Sequence, residues 1–472
     1  MRIILVNPPP FLVMEAFYDT PPFPRPALAF LAAYLRRDGV EVAVLDCKYS
    51  RLGFDKAINR IKDFNPDIVA ITAMTNEIIQ AGQIASMVKI SLLRTVTVIG
   101  GVHATALPEQ TLREFPVFDY AVIGEGEVPL LNLAKTIEGG MPGHEPLPGI
   151  AGIGTDGKFW FGGTCPQIGQ METLPVPAWD LFAPTHEYML HTARGCPFKC
   201  PFCMNFNGHT VRAKSPESVL DEMEWLVEKQ GARSFIFGDE VFTINRARTV
   251  EICNGMIQRC LHKKCKWWCV SHVRFIDYEL AVLMKKAGCR MLGLGIESGN
   301  EERLHEINKG TSVEMILSAV NSLKKAKLPF EAYFILGYPN ETAETARDTI
   351  DFAVKINPDM PVIGIMVPYP GTRIGVMAAK GEGGYVLQAR SWNDYNKQIG
   401  NALSFKNLSR RDLEKIQLIG YAKVFLCNFR FLEFMNFAWR YRLLAWKTFL
   451  KMSGFSKHGK PAGCGRDTIY ES

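Results

Sequence analysis

The stretch RGCPFKCPFC, residues 194–203, places Cys196, Cys200 and Cys203 four and then three positions apart. Such short gaps do not suit a disulfide framework, and a structural zinc site would need a fourth Cys or His, for which only His209 stands nearby. Three thiolates leave one corner of a metal centre open for chemistry. The alternative is that the three cysteines lie in an ordinary turn, although Gly195 and two prolines favour a shaped loop.

The composition of the chain is typical of a globular protein of two or three domains. It has 472 residues, 47% hydrophobic and 22% charged, with a formal net charge of +6. This mild charge does not indicate nucleic-acid binding. The 12 cysteines in a chain of this length indicate a reduced compartment. We find no signal peptide and no apolar run of about 18 residues, so we expect a cytoplasmic protein without a transmembrane segment.

Residues 1–140 alternate short apolar runs with amphipathic stretches. Pro26 and Gly39 bracket one helical pattern, and Asn76 is a candidate N-cap of another. This alternation predicts an open, doubly wound parallel sheet of flavodoxin-like class. The apolar runs lie at residues 3–6, 40–45, 68–72, 96–99 and 120–123.

Loops that follow the strands of such a sheet commonly form its ligand site. Gly100 and Gly101 follow the fourth apolar run, and they would let a bulky ligand approach the backbone closely. No GxGxxG motif follows the first run, which argues against a dinucleotide. An ordinary sheet with tight turns remains the alternative.

The motifs GGVHAT at 100–105, PE at 108–109 and DYAVIGEGE at 119–127, with VNPP near the N-terminus, resemble the cobalamin-binding domain of B12-dependent radical S-adenosylmethionine (SAM) enzymes. The resemblance implies a corrinoid across the strand ends, its nucleotide tail inserted into the domain. It implies these contact residues: Met74, Thr75, Asn76, Gly100, Gly101, His103, Thr105, Gly124, Glu125 and Gly126.

Three prolines, residues 8–10, stand where related cobalamin domains carry an Asp-x-His-x-x-Gly loop whose His ligates cobalt. We therefore expect cobalamin without a His ligand, with the lower face of cobalt near Met74, Thr75 or Asn76. His103 would line the pocket of the nucleotide tail. A solvated loop histidine is the alternative interpretation of His103.

The segment 141–187 is rich in Gly and Pro, so it predicts a surface linker anchored by Trp179 and Phe182. From residue 188 strand and helix patterns alternate again, in six units. Six units predict a partial (β/α)6 barrel over 188–385, with its site at the carboxyl ends of the strands. The apolar runs lie at residues 188–192, 234–237, 266–270, 291–296, 330–336 and 362–367.

The cysteine loop resembles the signature of radical SAM enzymes, and later motifs follow in the order of that family. The resemblance implies a [4Fe–4S] cluster on Cys196, Cys200 and Cys203, with SAM on its open iron. The SAM contacts that it implies are Phe202 near adenine, Gly238, Asp239 and Glu240 at the methionine amino group, Glu297 at the ribose, and Gly337 and Pro339 at the adenine. The alternatives are a solvated turn for Asp239 and Glu240, a salt-bridged strand end for Glu297, and plain turn residues for Gly337 and Pro339.

Two further regions carry weaker signals. A second metal site on Cys253, Cys260, Cys265 and Cys269 is conceivable, but these cysteines flank a helix end and a strand. Residues 386–472 predict a helical C-terminal domain with an aromatic-rich and basic stretch. We favour a cap packed on the barrel, with a lid or a peripheral membrane contact as alternatives. The tail after Gly454 is expected to be disordered.

A corrinoid domain fused to a radical SAM barrel implies methylation of an unactivated carbon through methylcobalamin and a 5′-deoxyadenosyl radical. The partners implied are a small-molecule substrate and an external electron donor of flavodoxin or ferredoxin type. One alternative is a radical oxidative cyclase that resembles the anaerobic Mg-protoporphyrin monomethyl ester cyclase. Another is a non-catalytic corrinoid sensor or carrier. Tyr333, Tyr369 and Trp268 are candidate substrate contacts by position only.

Overall fold

A computed structural model describes residues 1–11, 20–140, 146–397 and 401–442. The chain divides into two compact units. The first comprises Met1–Cys196 and Asn205–Phe235, and the second comprises Pro197–Met204 and the chain from Ile236 onward. The chain therefore passes between the units at both ends of the cysteine loop and within one strand. Parallel strands and helices alternate, so the predicted mixed α/β fold class is confirmed.

The first unit is built on a seven-stranded sheet in the order β2-β1-β3-β4-β5-β6-β7. Its first five members pair in parallel, and β6 and β7 add antiparallel at one edge. The strand β1 is buried from Ile3 to Asn7, as expected for a parallel strand covered on both faces. The strands are β1 (Arg2–Asn7), β2 (Glu41–Asp46), β3 (Ile68–Thr72), β4 (Val96–Gly100), β5 (Tyr120–Val122), β6 (Ile150–Ile153), β7 (Phe159–Phe161), β8 (Glu187–Leu190), β9 (Ala193–Arg194) and β10 (Arg212–Ala213).

The helices of this unit follow the predicted pattern, with one difference. Pro26 opens the first helix as predicted. Asn76, in contrast, is not a helix N-cap, because residues Thr75–Glu77 form a short 3-10 turn in which the Glu77 carboxylate accepts the Met74 N–H at 2.8 Å. The helices are α1 (Pro26–Arg37), α2 (Phe54–Phe64), α3 (Ile78–Ser91), α4 (Val102–Ala106), α5 (Pro108–Glu114), α6 (Glu127–Glu138) and α7 (Pro216–Lys229).

Residues 146–187 do more than link two regions, because they include the antiparallel strands β6 and β7, which the sequence did not predict. The expected anchor is present, since Trp179 is fully buried and its ring meets Tyr188 edge-on at 5.4 Å. The Trp179 indole N–H donates to the Glu222 carboxylate at 3.0 Å, and Lys214 pairs with the same carboxylate at 2.8 Å. The hydrogen bond from Trp179 to the ion-paired Glu222 thus fixes the segment to α7.

Four parallel strands in the order β15-β14-β13-β12 form the core of the second unit. The preceding strand, β11 (Ser234–Phe237), contains the boundary between the units. The other strands are β12 (Lys266–Ser271), β13 (Cys289–Glu297), β14 (Phe330–Leu336), β15 (Met360–Ile365), β16 (Tyr385–Leu387) and β17 (Leu403–Phe405). The helices are α8 (Arg246–Gln258), α9 (Leu261–Lys264), α10 (Tyr278–Lys286), α11 (Glu301–Ile307), α12 (Val313–Ala326), α13 (Ala343–Ile356), α14 (Arg373–Lys380), α15 (Arg410–Leu426) and α16 (Phe431–Arg440).

The described part of the C-terminal region is mainly helical, as the sequence predicted, and contains the helices α15 and α16. The helix α15 packs against the barrel, because the Gln417 side chain donates to the Ile363 carbonyl at 2.6 Å and Lys423 pairs with Asp351 at 3.1 Å. Phe429 takes a positive φ of 59° and separates α15 from α16. The prediction for the tail after Gly454 concerns residues outside the described part of the chain.

Removing the Glu222 carboxylate should destabilise the first unit, because it leaves the Lys214 ammonium and the Trp179 indole buried without this partner. We expect Glu222→Ala to lower the free energy of unfolding by about 3 kcal/mol. Urea denaturation followed by tryptophan fluorescence measures the loss. Lys135→Ala is the control, since Lys135 pairs with Asp38 at 2.9 Å on the surface and its loss should cost below about 1 kcal/mol. Equal losses in the two variants would contradict the prediction.

Candidate functional site

A cavity of about 490 Å³ opens in the first unit at the carboxyl ends of its parallel strands. Side chains from four strands, Leu5, Ala70, Val98 and Val122, form part of its wall. The strands β1 and β3, where the strand order reverses, are both among them. This is the place where doubly wound sheets bind their ligands. The wall is mainly apolar, which suits a large flat or aromatic group.

Glycines shape the mouth of this cavity. Gly101 has a φ of 95°, and a Cβ there would meet the Ala73 carbonyl oxygen at 2.7 Å, so a side chain is excluded on both grounds. Gly124 also has a positive φ, of 82°. The loops after β4 and β5 therefore keep their backbone open to a ligand.

Six of the ten residues predicted to contact cobalamin line this cavity. They are Met74, Gly100, Gly101, Gly124, Glu125 and Gly126. Thr75 is buried, and neither it nor Asn76 is among the lining residues, so Met74 is the member of that trio that faces the cavity. Thr105 is not a lining residue, but its hydroxyl accepts the Gly124 N–H at 3.1 Å and so supports the glycine loop of the cavity.

The structure contradicts the solvated-loop interpretation of His103, and its place in the pocket of the nucleotide tail stays a prediction. His103 is fully buried, so it is not a solvated loop residue, and it is not among the residues that line the cavity. It lies in the short helix α4, directly after the Gly101 turn, and its backbone N–H donates to the Ala73 carbonyl at 3.3 Å. Burial lowers the pKa of His103 to about 3, so its ring is neutral at physiological pH.

A buried ionic network, which the sequence motifs did not identify, borders the cavity. Glu77 pairs with Lys48 at 2.6 Å and with Arg25 at 3.3 Å, and all three line the cavity. Burial opposes ionisation of Glu77, but the charges of Arg25 and Lys48 outweigh it and lower its pKa to about 2. Arg25 also donates to Asn7 at 2.8 Å, and Asn7 donates to Asp46 at 2.7 Å. In the sequence, this network is indicated only by the polar residues Asn7 and Asp46, which end the strands β1 and β2.

A second ionic group on the cavity wall leads into the cysteine loop. Arg194, the first residue of RGCPFKCPFC, lines the cavity and pairs with Glu127 at 2.5 Å and with Glu125 at 3.4 Å. Arg212 pairs with Glu125 from the strand β10. Glu125 was predicted as a cobalamin contact, and the structure shows that it also holds two arginines.

The cysteine loop is irregular and tightly turned. Gly195 has a φ of 97°, and a Cβ there would meet the Thr210 carbonyl oxygen at 2.2 Å. The Asn205 side chain donates to the Cys196 carbonyl at 2.6 Å, and the Cys203 N–H donates to the Cys200 carbonyl at 3.1 Å. Cys203 is exposed, and Cys196 and Cys200 are half-buried, so the loop thiols are accessible to solvent.

Among the described residues, no three His, Cys, Asp or Glu side chains already stand together as a metal site. The His209 Nδ1 lies 3.1 Å from the Cys196 carbonyl oxygen. By the chemistry of its donors the loop fits an iron–sulfur cluster, because three thiols on one short accessible segment are the usual ligand type. The residues that would hold it are Cys196, Cys200 and Cys203.

The predicted SAM contacts all lie in the second unit. Gly238, Asp239 and Glu240 follow β11, with Asp239 buried and Glu240 half-buried. The Phe202 ring meets Tyr338 edge-on at 6.2 Å. Tyr338 belongs to the same loop as Gly337 and Pro339, so Phe202 of the cysteine loop lies against the predicted adenine-binding loop.

That loop is braced by partners that the sequence did not reveal. The Glu341 carboxylate accepts the N–H groups of Gly337 and Tyr338, the latter at 3.2 Å. Arg303 donates to the Pro339 carbonyl at 2.9 Å. Gly337 has a φ of 97°, so a glycine is required at the turn.

Glu297 ends β13 in a left-handed backbone conformation, with a φ of 67°. A non-glycine residue in this conformation is uncommon and often marks a functional site. Its carboxylate is buried and pairs with Lys309 at 2.6 Å. Glu297 is thus salt-bridged at a strand end through one carboxylate oxygen, and its contact with the ribose of SAM stays a prediction.

His272 connects the cysteine loop to this carboxylate through a chain of contacts. Its ring stacks on Phe198, between Cys196 and Cys200, with the centroids 4.4 Å apart. Its Nδ1 accepts the Arg274 N–H at 3.1 Å, so the proton of the neutral ring is on Nε2, which lies 3.1 Å from the Lys309 carbonyl. Burial and the positive charge of Lys309 lower the pKa of His272 to about 4, so this neutral form persists at pH 7.

The remaining cysteines named by the sequence do not form a second site in the described chain. Cys253, Cys265 and Cys269 are buried, and Cys260 is exposed. Burial raises the pKa of Cys253 to about 12, so that thiol stays protonated. A metal needs thiolates, which these buried positions disfavour.

Comparison with known proteins identifies both halves of this arrangement. Residues 12–134 match the B12 binding domain family, and residues 190–353 match the Radical SAM superfamily. An uncharacterized methyltransferase of Pyrococcus horikoshii is 32% identical over 441 residues, which cover 90% of this chain and 93% of that protein. The chain belongs to the cobalamin-dependent radical SAM family.

Other relatives of this radical SAM protein are named for different reactions. The anaerobic magnesium-protoporphyrin IX monomethyl ester cyclase of Rubrivivax gelatinosus is 34% identical, over 73% of this chain and 64% of that protein. The solved structure of the methyltransferase TsrM from Kitasatospora setae, with cobalamin and a [4Fe–4S] cluster, superposes with a TM-score of 0.69 at 19% identity. It covers 90% of this chain and 88% of TsrM, and at that identity it shows a shared fold.

Membership in this family fixes the cofactors, which are a [4Fe–4S] cluster, SAM and cobalamin, as predicted. No helix among the described residues is long and apolar enough to span a membrane. A small-molecule substrate and a reductant are requirements of radical SAM enzymes in general.

The neutral His103 predicts a pH dependence of stability. Its folded pKa of about 3 lies below the ordinary value of 6.5, so the unfolded chain binds the proton first and stability falls as the pH drops below 6.5. Between pH 6.5 and pH 5 this residue should account for about 2 kcal/mol of loss. Chemical denaturation at the two pH values would show a smaller loss in His103→Leu than in the wild type. An unchanged difference would contradict a neutral buried ring.

Removing the His272 ring should loosen the cysteine loop and its link to Lys309. We expect His272→Leu to raise the KM for SAM about tenfold or more and to lower iron retention, as when a group that supports metal ligands is lost. Iron and sulfide analysis and SAM-dependent 5′-deoxyadenosine release measure the two effects. His305→Leu is the control, since His305 is exposed on α11. Unchanged iron content and KM in His272→Leu would show that the stack has no positioning role.

Proposed function

We propose that this protein methylates an unactivated carbon of a small-molecule substrate, with its two cofactors acting on one substrate atom. The observation that carries the proposal is Arg194, which lines the cavity of the B12-binding domain and stands two residues before Cys196. Two residues span at most about 7 Å of chain. One end of the cysteine loop is therefore fixed beside the cavity, as required if both cofactors serve one reaction.

Each cofactor has its own set of residues in the proposal. Met74 and the glycine loops, which line the cavity of the first unit, would hold cobalamin there. When bound, cobalamin supplies methyl-transfer chemistry, and the cluster with SAM supplies hydrogen abstraction. The protein contributes binding, orientation and exclusion of water. Met74 offers a thioether and no imidazole, in line with cobalamin held without a His ligand.

The residues that bind SAM act as positioning groups in the second unit. Phe202 and the loop at Gly337 would hold the adenine ring between an aromatic edge and backbone groups. Glu297 would accept the ribose hydroxyls with the carboxylate oxygen not bound to Lys309, and Asp239 and Glu240 would receive the methionine ammonium. Cys196, Cys200 and Cys203 would hold the cluster, which would supply the reductive cleavage of SAM.

Domain limits, location and electron supply are part of the same proposal. We place the cobalamin domain at 1–140, the linker at 141–187, the radical SAM barrel at 188–385 and the helical domain at 386–472. The enzyme would work in the cytoplasm and receive electrons from a flavodoxin or ferredoxin. Exposed Cys203 supports an external donor, because it leaves that side of the loop accessible.

Methylation is favoured by the names of several relatives. Besides the Pyrococcus protein, the cytidylyl-2-hydroxyethylphosphonate methyltransferase of Streptomyces wedmorensis is 26% identical over 75% of this chain. The second candidate is a radical oxidative cyclisation, which the 34% identity to the Rubrivivax cyclase supports. A non-catalytic carrier would not need the three accessible thiols.

Labelled methionine distinguishes these outcomes in cells that express the gene. Growth on CD3-methionine, with a Cys203→Ala strain as reference, should yield a compound that carries a CD3 group only in the wild type. An unlabelled compound two hydrogens lighter than its precursor would instead establish the cyclase type. Absence of any compound that differs between the strains would argue against both reactions.

Removal of a cluster ligand should abolish SAM cleavage in the purified protein. We expect Cys203→Ala to lose 5′-deoxyadenosine release under reductant, because two thiolates hold the cluster poorly. Cys260→Ala is the matched control, since Cys260 is also exposed but lies outside the loop. Chromatography of the products measures both variants. Wild-type levels in Cys203→Ala, or no release by the wild type, would contradict the assignment.

A further inference from the structure

The C-terminal helices expose an unusual number of large apolar side chains. Of the 21 large apolar side chains that stay exposed in the described chain, eight lie between Leu418 and Trp439. They are Leu418, Ile419, Leu426, Phe429, Phe431, Leu432, Met435 and Trp439. We call these eight residues the apolar patch. Patches of this kind on a folded protein mark interaction surfaces.

In the helix α16, the residues of the apolar patch lie on a different side from the residues that pack against α15. Phe434 and Phe437 face inward, with their ring centroids 6.2 Å and 5.3 Å from that of Phe425. Leu432, Met435 and Trp439, at positions i, i+3 and i+7, form a second apolar stripe along a different side. Trp439 is 70% exposed and Leu432 is 78% exposed. The helix therefore has one apolar face satisfied by packing and another without a cover in the described chain.

Polar and charged residues occupy the rest of α16. Glu433, Asn436 and Arg440 form the remaining side, and Glu433 pairs with Arg430. The Arg442 guanidinium lies 4.3 Å from the Trp439 ring centroid, at the edge of the stripe. An apolar stripe with Trp and Phe, flanked by arginines, is the composition of helices that lie in a membrane interface.

Charge points to the kind of surface that covers the patch. Residues 410–472 contain 12 Lys and Arg against 5 Asp and Glu, a net charge of +7, while the whole chain carries +6. Residues 1–409 therefore carry −1, and the basic excess of the protein lies in the C-terminal stretch of sequence that contains the patch. A second copy of this region would bring +7 against +7. The chain after residue 442 carries 5 basic and 2 acidic residues, so it is also positive.

We propose that the apolar patch docks the protein on an anionic lipid bilayer. The aliphatic and aromatic side chains enter the interface, and the surrounding Lys and Arg residues contact lipid phosphates. Exposed Leu, Ile and Met side chains distinguish this surface from a nucleic-acid site, where bases would need aromatic stacking and phosphates a basic groove. The inference is independent of the proposed reaction.

The test uses the full-length protein with its cofactors and vesicles of phosphatidylcholine with or without phosphatidylglycerol. We expect co-sedimentation with the phosphatidylglycerol vesicles, and weaker binding at high salt because the attraction is screened. The variant L432S/M435S/W439S should bind about tenfold more weakly or not at all, since it removes most of the buried apolar area. Circular dichroism checks that both helices persist.

The matched control is I90S/L93S/V176S, which removes three equally exposed apolar side chains far along the chain. It should bind vesicles like the wild type. The proposal would be overturned if the wild type failed to bind vesicles or if the two triple variants bound equally well. It would also be overturned if binding did not depend on phosphatidylglycerol and salt. A concentration-dependent dimer that only L432S/M435S/W439S abolishes, without vesicle binding, would show that a second copy covers the patch.

Discussion

The ion pair between Arg194 and Glu127 is the interaction on which the rest of the site depends. Glu127 opens helix α6, where a carboxylate also complements the positive end of the helix dipole. Arg194 ends strand β9 and begins the cysteine loop. Because both side chains are buried beside the cavity, the loop starts from a fixed point. A glycine at 195 then provides the backbone turn that no other residue could adopt there without a clash.

The sequence predicted the architecture well because parallel strands are buried on both faces and read as continuous apolar runs. The limits of β3 and β14, for example, were predicted to the residue. The strands β6 and β7 were missed, since one is four residues long and the other three, in a segment whose Gly and Pro content predicts loops. Asn76 was misassigned because the Glu77 carboxylate satisfies the local backbone and creates an extra turn before α3.

The site was predicted in part, for a physical reason. Motifs report residues that would meet a ligand through the backbone, such as Gly100, Gly101 and Gly337, because the backbone geometry at such turns constrains the residue type. Partners that lie far apart in sequence leave no local pattern, as with Lys48 and Glu77 or His272 and Phe198. The sequence left open whether His103 is solvated, because a polar residue after a glycine turn can be exposed, and the short helix α4 places it in the interior.

The cysteines of the chain differ in reactivity because they differ in burial. Interior thiols such as Cys253 and Cys289 are held protonated by their apolar surroundings, whereas the loop thiols are within reach of solvent. Iron and sulfide delivered to the folded apoprotein therefore encounter ligand-competent sulfur mainly on one segment. Burial of the interior thiols thus favours cluster assembly on the described segment that carries three accessible thiols close together, and it protects the core from adventitious metal.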